Sequence, residues 1–253
     1  MKKVLILMLS VSLLIVASCK KSNPTEEDKQ PNCQLTEVSW SNDDAKTIYS
    51  YNPDGTVSNS KFTDDSYSEV FTYSKNQIIV IEKDWHNTAG LTHKYDLDPQ
   101  GRVTKHTKGY NGTSSVTTTT YIYNLEGYLI EENEVEGITS KITKHTYSNG
   151  NLVSSNDGTY TTTFTYNNDL ALENFYHDYM GRGLPKFYDS PLQKYFGKLS
   201  KNQLSKTTYS IDHYVEYTYE KDDMGNVVKV KRKDFNPNGG DSSYIATNKY
   251  SCK

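Results

Sequence analysis

Two periodicities run together along this chain. Within short runs such as Thr117–Tyr123 and Thr159–Tyr166, threonine and aromatic residues crowd together, and in Tyr214–Glu220 the residues Val215, Tyr217 and Tyr219 share alternate positions. Such runs suit a pleated, half-buried surface and predict β-strands. Between runs lies a turn whose last residue is Gly or Asn, followed two positions on by an aliphatic side chain. The turn residues are Gly55, Asn76, Gly101, Gly127, Gly150, Asn168, Asn202 and Gly225, and the aliphatic residues are Val57, Ile78, Val103, Leu129, Leu152, Leu170, Leu204 and Val227. A short hairpin turn usually closes on a residue with positive φ, which Gly reaches freely and Asn more readily than other residues. In Tyr51-Asn52-Pro53-Asp54-Gly55, Pro53 presets the first turn residue and Asp54 can bond its own backbone nearby. Two strands per turn plus terminal strands predict an all-β fold, an antiparallel meander of about 17 strands.

The first residues stand outside this pattern. Lys2 and Lys3 precede an apolar run from Val4 to Val16, too short for the roughly 20 residues of a spanning helix. The run ends in Val16-Ala17-Ser18-Cys19. Residues 1–18 therefore read as a signal peptide, and the last four residues resemble a bacterial lipoprotein cleavage box in which Cys19 is acylated and becomes the mature N-terminus. Residues 20–32 hold no strongly apolar side chain, so 19–32 is expected to be a lipidated cysteine and flexible tether, spanning on the order of 20 Å. Residues 33–253 then form one β-repeat domain. The partner implied is a lipid membrane reached through Cys19. The location is the outer membrane, on its periplasmic or cell-surface side.

Cys33 and Cys252 remain, at opposite ends of the folded part. Outside the cytoplasm such a pair oxidises where geometry allows. A bridge would bring the first and last strands together and make the sheet closed or strongly curled. A membrane porin would show an apolar band on alternate outward positions, yet neither face of Thr117–Tyr123 is strongly aliphatic and mean hydropathy is -0.77. The expectation is a soluble barrel-like sheet.

Tyr51-Asn-Pro-Asp-Gly55, Tyr95-Asp-Leu-Asp-Pro-Gln-Gly101-Arg-Val, Tyr123-Asn-Leu-Glu-Gly127-Tyr-Leu and Tyr219-Glu-Lys-Asp-Asp-Met-Gly225-Asn-Val resemble the tyrosine-aspartate repeats of Rhs-type shell proteins. With the lipobox and the end cysteines, the chain is similar to an uncharacterised family of Bacteroidetes lipoproteins with a porin-like fold. That resemblance implies a meandering sheet over nearly the whole mature chain and supplies no activity or catalytic residue.

The repeat is interrupted between Asn168 and Asn202. In this insertion (169–201), Ser190-Pro191-Leu192-Gln193 predicts a short helix, with Ser190 as N-cap, Gln193 completing a capping box and Gly197 as terminator. Its aromatic residues make it either a plug over an apolar end of the sheet or a ligand site. The candidate ligand contacts are Tyr176, Tyr179, Arg182, Phe187, Tyr188, Tyr195 and Phe196, whose rings can stack on sugars or grip an apolar partner.

Catalytic signals are thin. No His-Glu-x-x-His helix, Cys-x-x-Cys knuckle, Gly-x-Ser-x-Gly elbow or phosphate-cradling loop occurs. His93 and His106 flank the Gly101 turn and read as solvated cross-strand neighbours, or as two zinc ligands if a third came from elsewhere. Asp96–Gly101 opens like a calcium loop, but Thr107 stands where a bidentate Glu is required. Asp43-Asp44, Asp64-Asp65, Glu131-Glu132 and Asp222-Asp223 pair acids that alternate across a strand or sit in turns, so none is a glycosidase pair. The net charge of -3 and scattered Lys and Arg argue against nucleic acid. No cofactor or metal is implied. The expected function is a non-catalytic binding module for glycan or peptide, the alternative a structural adaptor that docks an envelope protein.

Overall fold

The computed structural model describes residues 33–41, 43–84, 89–110, 116–172, 191–237 and 239–252. The strands are β1 (Cys33–Trp40), β2 (Lys46–Tyr51), β3 (Val57–Phe62), β4 (Tyr67–Tyr73), β5 (Gln77–Asp84), β6 (Ala89–Leu97), β7 (Val103–Tyr110) and β8 (Val116–Tyr123). They continue as β9 (Leu129–Glu136), β10 (Thr139–Ser148), β11 (Asn151–Asn156), β12 (Thr161–Leu170), β13 (Asn202–Thr208), β14 (Tyr214–Lys221), β15 (Val227–Phe235) and β16 (Ser242–Cys252). Each pairs antiparallel with its sequence neighbours, and β1 pairs with β16 to close a 16-strand barrel. Cys33 lies opposite Cys252 in that seam, and a disulfide joins them.

The count is one below the expected 17 for an identifiable reason. Asn168 lies inside β12 and Asn202 opens β13, with Leu170 opposite Asn202. They are the two lips of one insertion, so Leu170, 62% exposed, is not part of the inward set. At the true turns the glycines behave as expected, with φ of 84° at Gly55 and 93° at Gly127. Asn76 does not. The described non-Gly residues with positive φ are Asp65 and Asn149, and Asn149 supplies the left-handed residue just before Gly150.

Alternation sorts the strands into an inner and an outer face. Val57, Ile78, Val103, Leu129, Leu152, Leu204 and Val227 are 0 to 4% exposed and form an aliphatic ring at the end where the Gly turns lie. Each such side chain contributes roughly 1.5–3 kcal/mol on burial. Outward positions are polar even in mid-strand. Glu37 bridges Lys249 at 3.0 Å and Lys46 at 3.4 Å, and Glu220 bridges Lys229 at 2.8 Å and Lys231 at 3.2 Å.

The repeat tyrosines have a role that their β-propensity alone does not reveal. Tyr51, Tyr73, Tyr123, Tyr166, Tyr219 and Tyr250 donate to the carbonyls of Leu35, Val57, Val103, Leu152, Leu204 and Val227, at 2.6 to 3.0 Å. In each case the tyrosine's strand follows the acceptor's strand. These strand pairs share only part of their ladder; β13 and β14, for example, are in register from Lys206–Glu216 to Thr208–Tyr214. Nearer the turn end they splay, and the phenol satisfies a carbonyl that has left the ladder. β5 and β6 instead stay in register to Gln77–Asp96, and there Tyr95 is free to stack.

Candidate functional site

The turn end of the lumen is built for closure. Asp98 in the β6–β7 turn accepts from the backbone N–H groups of Gln100 and Arg102 at 2.9 and 2.8 Å. Asp222 does the same for Met224 and Asn226 in the β14–β15 turn, at 3.0 and 2.8 Å. Burial pushes the Asp98 carboxyl up, but the Arg102 N–H and guanidinium outweigh it and hold it below the ordinary range. The Asn226 amide and the turn N–H groups lower Asp222. These acids are turn builders.

Across that end lies the described part of the insertion, 191–201. The expected helix is a single 3-10 turn, Gln193–Tyr195, with Leu192 at the cap position and no side-chain cap bond. The expected cap Ser190 lies outside the described residues. The turn is short because Gly197, at φ 79°, redirects the chain against the β8–β9 turn, where a Cβ would collide with the Gly127 carbonyl. Lys198 N–H donates to Gly127 and Lys201 N–H to Gly150, both at 2.9 Å. Ser200 Oγ accepts from Leu152 N–H at 3.1 Å.

Of the expected contact residues, Tyr195 and Phe196 are brought to the lumen wall. Tyr195 is half-buried, 6.2 Å from Tyr73 with Lys194 over its ring, while Phe196 is buried and edge-on to Tyr95 at 6.2 Å and Tyr121 at 5.1 Å. They pack as part of a plug. Tyr176, Tyr179, Arg182, Phe187 and Tyr188, like Cys19, lie outside the described residues.

Beyond the aliphatic ring the inner wall turns polar, which the turn repeat did not signal. On β9 to β11, His145 lies 2.8 Å from Glu132 Oε1 through Nε2 and 2.8 Å from Ser155 Oγ through Nδ1. The trio carries the elements of a nucleophilic triad, but the His145 side chain is 1% exposed and Ser155 is buried. At that burial the three side chains satisfy one another's hydrogen bonds within the wall. Glu131 points outward, as strand alternation requires.

His93 and His106 are not the solvated neighbours expected of them. Both face the lumen, stacked at 5.1 Å with ring nitrogens 2.9 Å apart, and His93 Nε2 is 2.7 Å from Glu82 Oε1. The sequence places them on either side of Gly101, but only the register shows which face they share. Among the described residues no group of three or more His, Cys, Asp or Glu side chains could hold a metal. Glu69, opposite Glu82, is raised above the ordinary carboxylate range by burial, against hydrogen bonds from Ser60 and Tyr67. A second polar group lies on β14 to β16. Arg232 is 3.2 Å from Asp234 and 5.8 Å from the Tyr244 ring, and Tyr217 is opposite Arg232.

The fold is similar to the crystal structure of a porin-like protein from Bacteroides uniformis ATCC 8492. The TM-score is 0.67 at 18% identity, over 87% of this chain and 96% of that one. The fold is porin-like. At that identity the likeness concerns the fold alone. No protein-family model and no curated protein sequence matches the chain.

Proposed function

We propose that this protein is a lipid-anchored, extracytoplasmic and non-catalytic binding module for a glycan or peptide, attached to the outer membrane through acylated Cys19. The observation that carries the binding reading is the division of the inner wall. One end is sealed by aliphatic side chains and the insertion, while the inward groups farther along, such as Glu82 at 26% and Asp234 at 20% side-chain exposure, remain within reach of solvent. Arg232, Asp234 and Tyr244 combine a guanidinium, a carboxylate and an aromatic face, a set suited to hydroxyl-rich or peptide ligands. The charged outer wall supports attachment by a tether rather than by immersion, since Lys or Arg facing lipid costs about 2–4 kcal/mol at mid-depth.

The test is a glycan array and a peptide library probed with the parent, Arg232→Gln, Tyr244→Ala, and the insertion variants Tyr179→Ala and Tyr188→Ala. Loss of a shared ligand in the first pair places the site on the wall; loss in the second pair places it on the insertion. Parent-like binding by all four, or no ligand for the parent, counts against the reading. Metabolic labelling with a fatty acid, lost in Cys19→Ala, tests the anchor.

The adaptor alternative is favoured by a different observation. Ile138, Tyr160 and Ile211 project at 105%, 72% and 90% exposure from loops at the end opposite the plug. Crosslinking in intact cells that recovers a stoichiometric protein partner, lost when these three become Ser, would favour it.

A further inference from the structure

Five consecutive strands contribute to one hydrogen-bonded row across the inner wall. Ser60 on β3 donates to Glu69 on β4 at 2.6 Å, and Tyr67 on β4 is bonded to both Glu69 and Glu82. Glu82 on β5 meets His93 on β6 at 2.7 Å, and His93 Nδ1 meets His106 Nε2 on β7 at 2.9 Å. The last contact needs one donor and one acceptor nitrogen. With His93 Nε2–H given to Glu82, two protonation states satisfy it. A neutral His93 accepts from His106, or a protonated His93 donates to a neutral His106.

A further proton removes the acceptor. N–H then faces N–H, and two like charges stack with ring centroids 5.1 Å apart. The like charge of the two stacked rings is what divides the two steps. The charged or titratable groups that face the row are Glu69 and Glu82 on β4 and β5, Lys108 directly opposite His93 on β7, and Glu134 opposite Thr119 on the far side of His106.

His106 is also stacked on Tyr95 at 4.3 Å, and Tyr95 is edge-on to the buried Phe196 of the plug. We propose that the Glu82–His93–His106 row is a proton-operated latch on the plug: the second proton expels His106 from the row, Tyr95 loses its stacking partner, and the seat of Phe196 loosens. This goes beyond ligand binding and depends on neither the anchor nor the ligand.

The test is hydrogen exchange of the full chain at pH 7.5 and 5.5, corrected for intrinsic rates. Loss of one buried hydrogen bond shifts a local opening equilibrium by about tenfold. The Leu192–Phe196 amides of the parent should therefore lose about tenfold protection at the lower pH relative to β14 and β15. In His106→Gln the amide N–H donates to Nδ1 of neutral His93 and, flipped, the amide oxygen accepts from protonated His93, so protection should be equal at the two pH values. His93→Gln serves if His106→Gln fails to fold by circular dichroism, and it should be equally insensitive. No loss in the parent, an equal loss in the variant, or a loss spread over the whole barrel overturns the latch.

Discussion

Removing one phenol oxygen from the turn end isolates the role of the tyrosine bonds. Tyr219 donates to the Leu204 carbonyl at 2.6 Å where β13 and β14 have parted, and its ring is packed in the core cluster. Tyr219→Phe keeps the ring and deletes the donor, leaving a carbonyl that has no ladder partner on the β14 side. An orphaned buried acceptor costs about 1–3 kcal/mol, which for a domain of this size lowers Tm by roughly 2–4 °C per kcal/mol. Tyr51 and Tyr123 sit on distant strands, so a Tyr51→Phe, Tyr123→Phe, Tyr219→Phe triple variant should lose close to the sum. Differential scanning calorimetry reads both. Tyr160→Phe, at a 72% exposed ring, should melt with the parent. If Tyr219→Phe also melts within 1 °C of the parent, water or the ladder satisfies that carbonyl and the account of the repeat tyrosines is wrong.

Three further outcomes are expected. Gln203 is 1% exposed and neither amide atom has a hydrogen-bond partner among the described residues, so Gln203→Met should raise the urea midpoint, by up to about 1–3 kcal/mol of stability; a lower midpoint refutes it. Reduction of Cys33–Cys252, or Cys33→Ser with Cys252→Ser, should cost about 5.4 kcal/mol on the chain-entropy model for a separation of 219 residues. An unchanged melt would show that the seam holds without it. Burial raises Tyr95, Tyr121, Tyr123 and Tyr219 above the ordinary phenol value of 10.0. Their stabilising contribution is therefore full below that value and is lost as pH rises beyond it. Absorbance at the phenolate band should show these rings ionising together with unfolding, rather than in a smooth titration of the folded chain.

Much of the fold could be read from the turns because a Gly with positive φ and an aliphatic residue two positions later are both local demands. Closure was suggested by Cys33 and Cys252 alone, and their registered seam is what the barrel shows. The miscount came from Asn168, whose spacing imitates a turn while its backbone continues β12. The candidate site was less legible. Alternation in Thr117–Tyr123 says that Thr119 and Tyr121 share a face, but not that Glu132, His145 and Ser155 meet, because cross-strand register depends on bulges such as that between Thr146 and Tyr147. The helix expected from Ser190 and Gln193 rested on local capping, and docking of Gly197 on Gly127 overrode it. The polar inner wall leaves little trace in composition, since inward and outward charges alternate along the same strands.

Every described ladder except the β1–β16 seam joins strands adjacent in sequence. Such a chain can zip hairpin by hairpin, with little loop entropy lost at each step, and meets its one long-range search at the end. Until then the growing sheet has two open edges, each able to recruit a second copy instead of its own far end. The cysteines stand at that last junction, so oxidation would act as a commitment step: it would trap the intramolecular closure and withdraw both edges from swapping.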